Sequence, residues 1–121
     1  MSLKTATSLK LKAMLNQLKK ELAAKANSKK AKILQGFFKT GKGEYGEGDI
    51  FMGVVVPETR KIALKFRNLP LADIKKLLNS KIHEERLLAL FILVEQFSRA
   101  EENERKKIYN FYLSQTKNIN N

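Results

Sequence analysis

Apolar side chains recur along this chain at intervals of three and four residues, in blocks separated by short polar breaks. Leu11, Met14, Leu15, Leu18 and Leu22 form one such stripe, with Lys10, Lys12, Lys19 and Lys20 off it, and predict an amphipathic first helix. Ala31, Leu34, Phe37 and Phe38 predict a second, with Asn27 or Ser28 as its N-cap. After a glycine-rich interruption, Ile62, Ala63 and Phe66 mark a third helix, which Pro57 suits as the first position. Asn68-Leu69-Pro70 breaks the pattern, and Leu71, Ile74, Leu77 and Leu78 make a short fourth helix. Asn79 and Ser80 are fitting caps for a fifth, over about 82–98, which is apolar almost all round from Leu87 to Val94 and so predicted to be the most buried. Ala100-Glu101-Glu102 opens a sixth with acids where the helix dipole prefers them. Its face holds Ile108, Phe111 and Tyr112, with Tyr109 and Leu113 at the margins.

The only β-like run, Val54-Val55-Val56, is too short to build a sheet. The pattern therefore predicts an all-α fold of about six helices in antiparallel pairs. That is a HEAT- or armadillo-like helical repeat, an α-α superhelix, forming a single domain over residues 1–121. The sixth helix leaves an apolar face where a repeat array normally ends on a polar one. Either it packs back on the fifth or it expects more protein. The expectation is that residues 1–121 are the N-terminal fragment of a longer repeat domain, and that a homodimer forms through the C-terminal helix.

All six glycines, at 36, 41, 43, 46, 48 and 53, fall in the interruption before Pro57. The backbone is asked for something unusual only there. The segment lacks the Gly-Lys-Ser/Thr ending and preceding strand of a phosphate loop. Glu44, Glu47 and Asp49 do not have the spacing of a calcium loop. Ile50-Phe51-Met52 reads as an anchor that packs the segment on the core.

Charge changes the picture more than composition does. The 121 residues carry a net +12, and residues 1–42 hold eleven lysines against the single acid Glu21. Residues 43–121 hold thirteen basic and eleven acidic residues. A basic block of this kind favours a polyanion, nucleic acid first and a membrane surface second. Lys29, Lys30 and Lys32 fall in the first turns of the second helix, where the dipole disfavours cations. An anion binding at free amides beside lysines would account for them. With no cysteine, disulfides, thiolate catalysis and cysteine-ligated metals are excluded. The lone His83, beside Glu84 and Glu85, reads as a surface or interface residue, and no metal site is expected. No apolar run reaches membrane-spanning length and no apolar leader is visible, so a cytoplasmic location is expected and no membrane partner.

The run Tyr45-Gly46-Glu47-Gly48-Asp49-Ile50-Phe51-Met52-Gly53-Val54-Val55-Val56-Pro57-Glu58-Thr59-Arg60-Lys61 resembles the loop-and-helix segment of the DNA alkylation repair glycosylases, the AlkD-like HEAT-repeat family. Leu77 through Leu90 is similar to that family's next helix pair, and Phe111 through Asn121 continues the likeness, which begins near residue 28. The resemblance implies a curved all-helical repeat whose basic concave face holds duplex DNA. It implies excision of N3- and N7-alkylated purines by hydrolysis of the N-glycosidic bond, without metal or cofactor. The family's catalytic aspartate belongs to a Trp-Asp segment that follows the Asn-Asn matching Asn120-Asn121. This chain has no tryptophan, and none of its acids stands in the matching position. No catalytic residue is carried over.

The expected function is thus that of a DNA repair protein fragment that supplies scaffold and DNA-backbone contacts, inactive in cleavage on its own. Its partner is duplex DNA, alkylated duplex included. The candidate DNA contacts are Lys29, Lys30, Lys32, Lys39, Lys42, Arg60 and Lys61, with Phe37 beside them. The alternative is a non-enzymatic helical-repeat scaffold that binds a protein partner or DNA.

Overall fold

The computed structural model describes residues 3–38, 42, 43 and 47–116. These form six helices, α1 (Leu3–Ala24), α2 (Ser28–Phe37), α3 (Val56–Lys65), α4 (Leu71–Leu78), α5 (His83–Arg99) and α6 (Glu102–Gln115). An isolated parallel bridge, Ile50 with Ile82, is the β pairing among them. The protein is all-α, as the 3.6-residue period predicts.

The packing has the i, i+2 order of a helical repeat. α3 lies against α1 on one side and α5 on the other, while α4 and α6 both rest on α5 and touch each other. The core follows the predicted stripes: Leu15, Leu18 and Leu22 from α1, Ile62, Ala63 and Phe66 from the third block, Ile74, Leu77 and Leu78 from α4, and Ile108 from α6. The side chain of Leu11 lies outside the described set. α5 contributes Leu88, Ala89, Ile92 and Leu93, all buried, yet Val94 is 67% exposed. The all-round apolar run is therefore one buried face plus an outward margin. α6 is narrower than expected. Ile108 is buried and Phe111 half-buried, but Tyr109, Tyr112 and Leu113 face solvent.

The caps refine the sequence reading. Asn27, not Ser28, caps α2, its Oδ1 accepting from the Lys30 N–H at 3.0 Å. Pro57 occupies the second helical position rather than the first, after an extended Val55. Asn79 closes α4, and Ser80 Oγ accepts from the Ile82 N–H at 3.0 Å. Neither therefore caps α5 directly. That helix starts after Ile82, and the His83 N–H donates to the Ile50 carbonyl at 2.8 Å.

Candidate nucleic-acid interface

The segment leading from the glycines to α3 is held on three sides. Glu84, in the first turn of α5 and 1% exposed, accepts from three successive backbone amides: Met52 (3.0 Å), Gly53 (2.8 Å) and Val54 (3.2 Å). A buried carboxylate is costly unless its lone pairs are filled. Here the amides fill them, and the helix N-terminus adds favourable field. Two residues on, Arg86 pairs with Asp49 at 2.8 Å and donates to the Ser80 carbonyl at 2.9 Å. From α2, the Gln35 carboxamide donates to the Asp49 carbonyl and accepts from the Phe51 N–H. The Asn27 N–H donates to the Met52 carbonyl at 2.9 Å.

Gly53 explains why glycine is needed at this point. Its φ is +81°, and a Cβ there would lie 2.1 Å from the Asn27 carbonyl oxygen and 2.7 Å from the Ala31 nitrogen. Both obstacles are backbone, so α2 can sit on this segment only because residue 53 has no side chain. Of the expected Ile50-Phe51-Met52 anchor, Phe51 is buried and Met52 half-buried. Ile50 is instead exposed and holds through its backbone bridge.

An aromatic stack grows outward from this anchor. Phe51 lies 4.7 Å from the His83 ring and 5.3 Å from Phe38, which it stacks upon, and Phe38 meets Phe37 edge-on at 5.1 Å. His83 is thus half-buried among rings rather than a plain surface residue. Burial pushes its imidazole below the ordinary range, against an opposing pull from Glu84.

The candidate contacts fall around this frame in two groups. Lys29, Lys30 and Lys32 are exposed on α2, which carries no acid, and Phe37 at its last residue is 75% exposed. Lys30 borders a cleft of about 330 Å³ with Ile33, Leu34 and residues 53–56, so this lysine and the start of α3 share one surface. Asn27 takes the Lys30 amide, one of the donors at this helix start, and the lysine side chains remain on offer. Lys42 is exposed in the turn with Gly43. Lys39 lies outside the described residues.

Arg60 and Lys61 stand apart on α3. The Arg60 guanidinium lies over the Phe91 ring at 5.1 Å and borders a separate groove of about 200 Å³ with Leu64, Val94 and Glu95. Lys61 is 3.8 Å from Glu58, which Lys25 of α1's end approaches at 3.9 Å. These exposed pairs hold the ammonium groups only weakly. Sequence reasoning passed over Lys25. Its nearness to α3 depends on the helix crossing, which no local pattern announces.

The arrangement offers exposed cations on two neighbouring surfaces and a carboxylate set committed to structure. Glu84 is filled by backbone, Asp49 by Arg86, and Glu21 by Lys65, whose hydrogen bonds hold that carboxyl below its usual range. Among the described residues no cluster of three His, Cys, Asp or Glu could hold a metal ion, and no helix is long and apolar enough to cross a membrane.

An all-helical repeat with lysines gathered on one end defines a class of scaffold rather than a chemistry. A family model for DNA alkylation repair enzymes matches residues 18–121, and the chain belongs to that family. The match starts inside α1, ten residues before the likeness visible around residue 28. No individual curated protein and no solved structure matches the chain significantly.

Proposed function

We propose that this chain binds the backbone of duplex DNA in alkylation repair and contributes scaffold rather than cleavage chemistry. The observation that carries this reading is the acid-free α2, with Lys29, Lys30 and Lys32 exposed on it and Lys30 beside the start of α3. Lys42, Arg60 and Lys61 extend the contacts on either side, and Lys39 belongs to the same proposal by sequence. Such contacts position DNA without reading its sequence. Hydrolysis of an N-glycosidic bond needs a carboxylate free to face a developing cationic sugar. Beside the glycine-rich segment, Asp49 and Glu84 are already neutralised or filled.

If about five phosphates are neutralised, log K against log salt falls with a slope of roughly −4 to −5. Fluorescence anisotropy on a labelled duplex between 50 and 200 mM salt, on the order of the range where counterion release is measurable, reads this out. A slope near zero removes the proposal. On alkylated duplex the chain alone is expected to release no 7-methylguanine, and clear turnover would place catalysis on a group assigned here to structure. A second reading, self-association through α6, rests on the outward Tyr109, Tyr112 and Leu113, and light scattering decides it.

A further inference from the structure

On α2, Lys29, Ile33 and Phe37 stand at i, i+4 and i+8, one line along the helix. Ile33 is 70% exposed and Phe37 75%, so the line is a basic start followed by a bare apolar ridge. Lone exposed apolar residues need no account. These two differ because they are aligned, flanked by Lys30 and Lys32, and backed by a fixed support. Phe37 meets Phe38 edge-on, Phe38 stacks on Phe51, and Phe51 is 5% exposed. Gln35, two residues back and on the opposite side of the helix, ties it to Asp49 and Phe51. Phe37 is therefore held at the end of a rigid stack rather than waving on a loop.

A ring so placed offers one kind of recognition. It has a π-face and no hydrogen-bonding group, so it reads no base edge. An intact duplex keeps its base faces covered by their neighbours, while an unpaired or gapped position exposes one. The lysines choose among partners. A protein interface desolvates lysine at a cost and is depleted in it, whereas a nucleic-acid strand presents phosphates to the same three cations while a base reaches the ring.

We infer that α2 is a docking ridge for DNA in which base stacking is interrupted, with an unpaired base stacked on Phe37 and its flanking phosphates met by Lys29, Lys30 and Lys32. This deepens the DNA-backbone reading and rests on it. The test compares an intact duplex with the same duplex carrying a one-nucleotide gap, with 2-aminopurine at the unpaired position, for the full chain and its Phe37→Ala variant. The gapped duplex is expected to bind about tenfold tighter, on the scale of one base–aromatic stack. In Phe37→Ala the preference for the gapped duplex disappears while the salt slope, set by the lysines, stays as it was, and Phe37→Trp restores the preference. Equal binding of gapped and intact duplex by the full chain, or a preference that survives Phe37→Ala, overturns the ridge and leaves backbone binding standing. Binding of neither duplex, or of anionic vesicles in place of both, sinks the two readings together.

Discussion

Gly53 and His83 show how far single positions decide this structure. A methyl group at residue 53 would meet two backbone atoms of α2 within 2.7 Å, and it would also sit at a φ of +81°. The strain of a positive φ and the forced separation of α2 add, so Gly53→Ala is expected to cost about 3 kcal/mol or more. Urea unfolding of the variant checks this, and a loss below about 1 kcal/mol would mean that α2 is free to shift. For His83 the sign follows from its lowered folded pKa. The unfolded chain, with an imidazole near 6.5, takes up a proton before the folded one does. The contribution is present above that value and lost as pH falls from about 6.5 toward the folded pKa. The urea midpoint should therefore drop on acidification across this window. In His83→Gln, which keeps the backbone bond to Ile50, the drop should shrink. An unchanged profile would mean that the ring titrates as if solvated.

The element most revealing of this fold is α2, which has no buried residue at all. With Ala31 and Leu34 only half-buried, hydrophobic burial alone does little to seat it. Its hold comes from Asn27, Gln35 and the close approach at Gly53, all of which depend on residues 49–54 staying where Glu84 and Arg86 put them. Glu84→Ala strands three amides, each costing about 1–3 kcal/mol when buried and unmet. It is expected to loosen α2 more than it loosens α5, whose Leu88, Ala89 and Ile92 are fully buried. Hydrogen exchange should show α2 amides losing protection by local opening while the α5 core still exchanges late. Equal loss in both helices would mean that α2 is not a separate unit. The apolar stripes made α1, α3, α4, α5, α6 and most of the core legible in the sequence, because burial writes a period, whereas the stripe read on α2 ends in the exposed Phe37 and Phe38. The clamp was not legible. Glu84 and Gln35 are ordinary polar residues on helix patterns, and their partners are backbone groups more than ten positions away. The candidate contacts stood in between. The lysines of α2 could be read from charge alone, but not that Arg60 would turn to Phe91 while Lys61 turned to Glu58.

At the scale of the whole molecule, two kinds of tie cross the helices. The core is a continuous apolar cluster from Leu15 to Ile108. The polar ties span long separations: Glu84 to Gly53 across 31 positions, Arg86 to Asp49 across 37 and Lys65 to Glu21 across 44. The last is exposed and adds little to stability, but the first two fix how the basic α2 sits against the rest. The excess positive charge is thus concentrated in the N-terminal third while the seating of α2 is dictated from α5. This matters for a chain made one residue at a time from its N-terminus. When α1, α2 and the glycine-rich segment have just left the ribosome, the carboxylate that will order residues 52–54 has yet to emerge from it. The basic helix therefore waits unseated while α3 and α4 emerge, and it takes its place once the first turn of α5 has followed them.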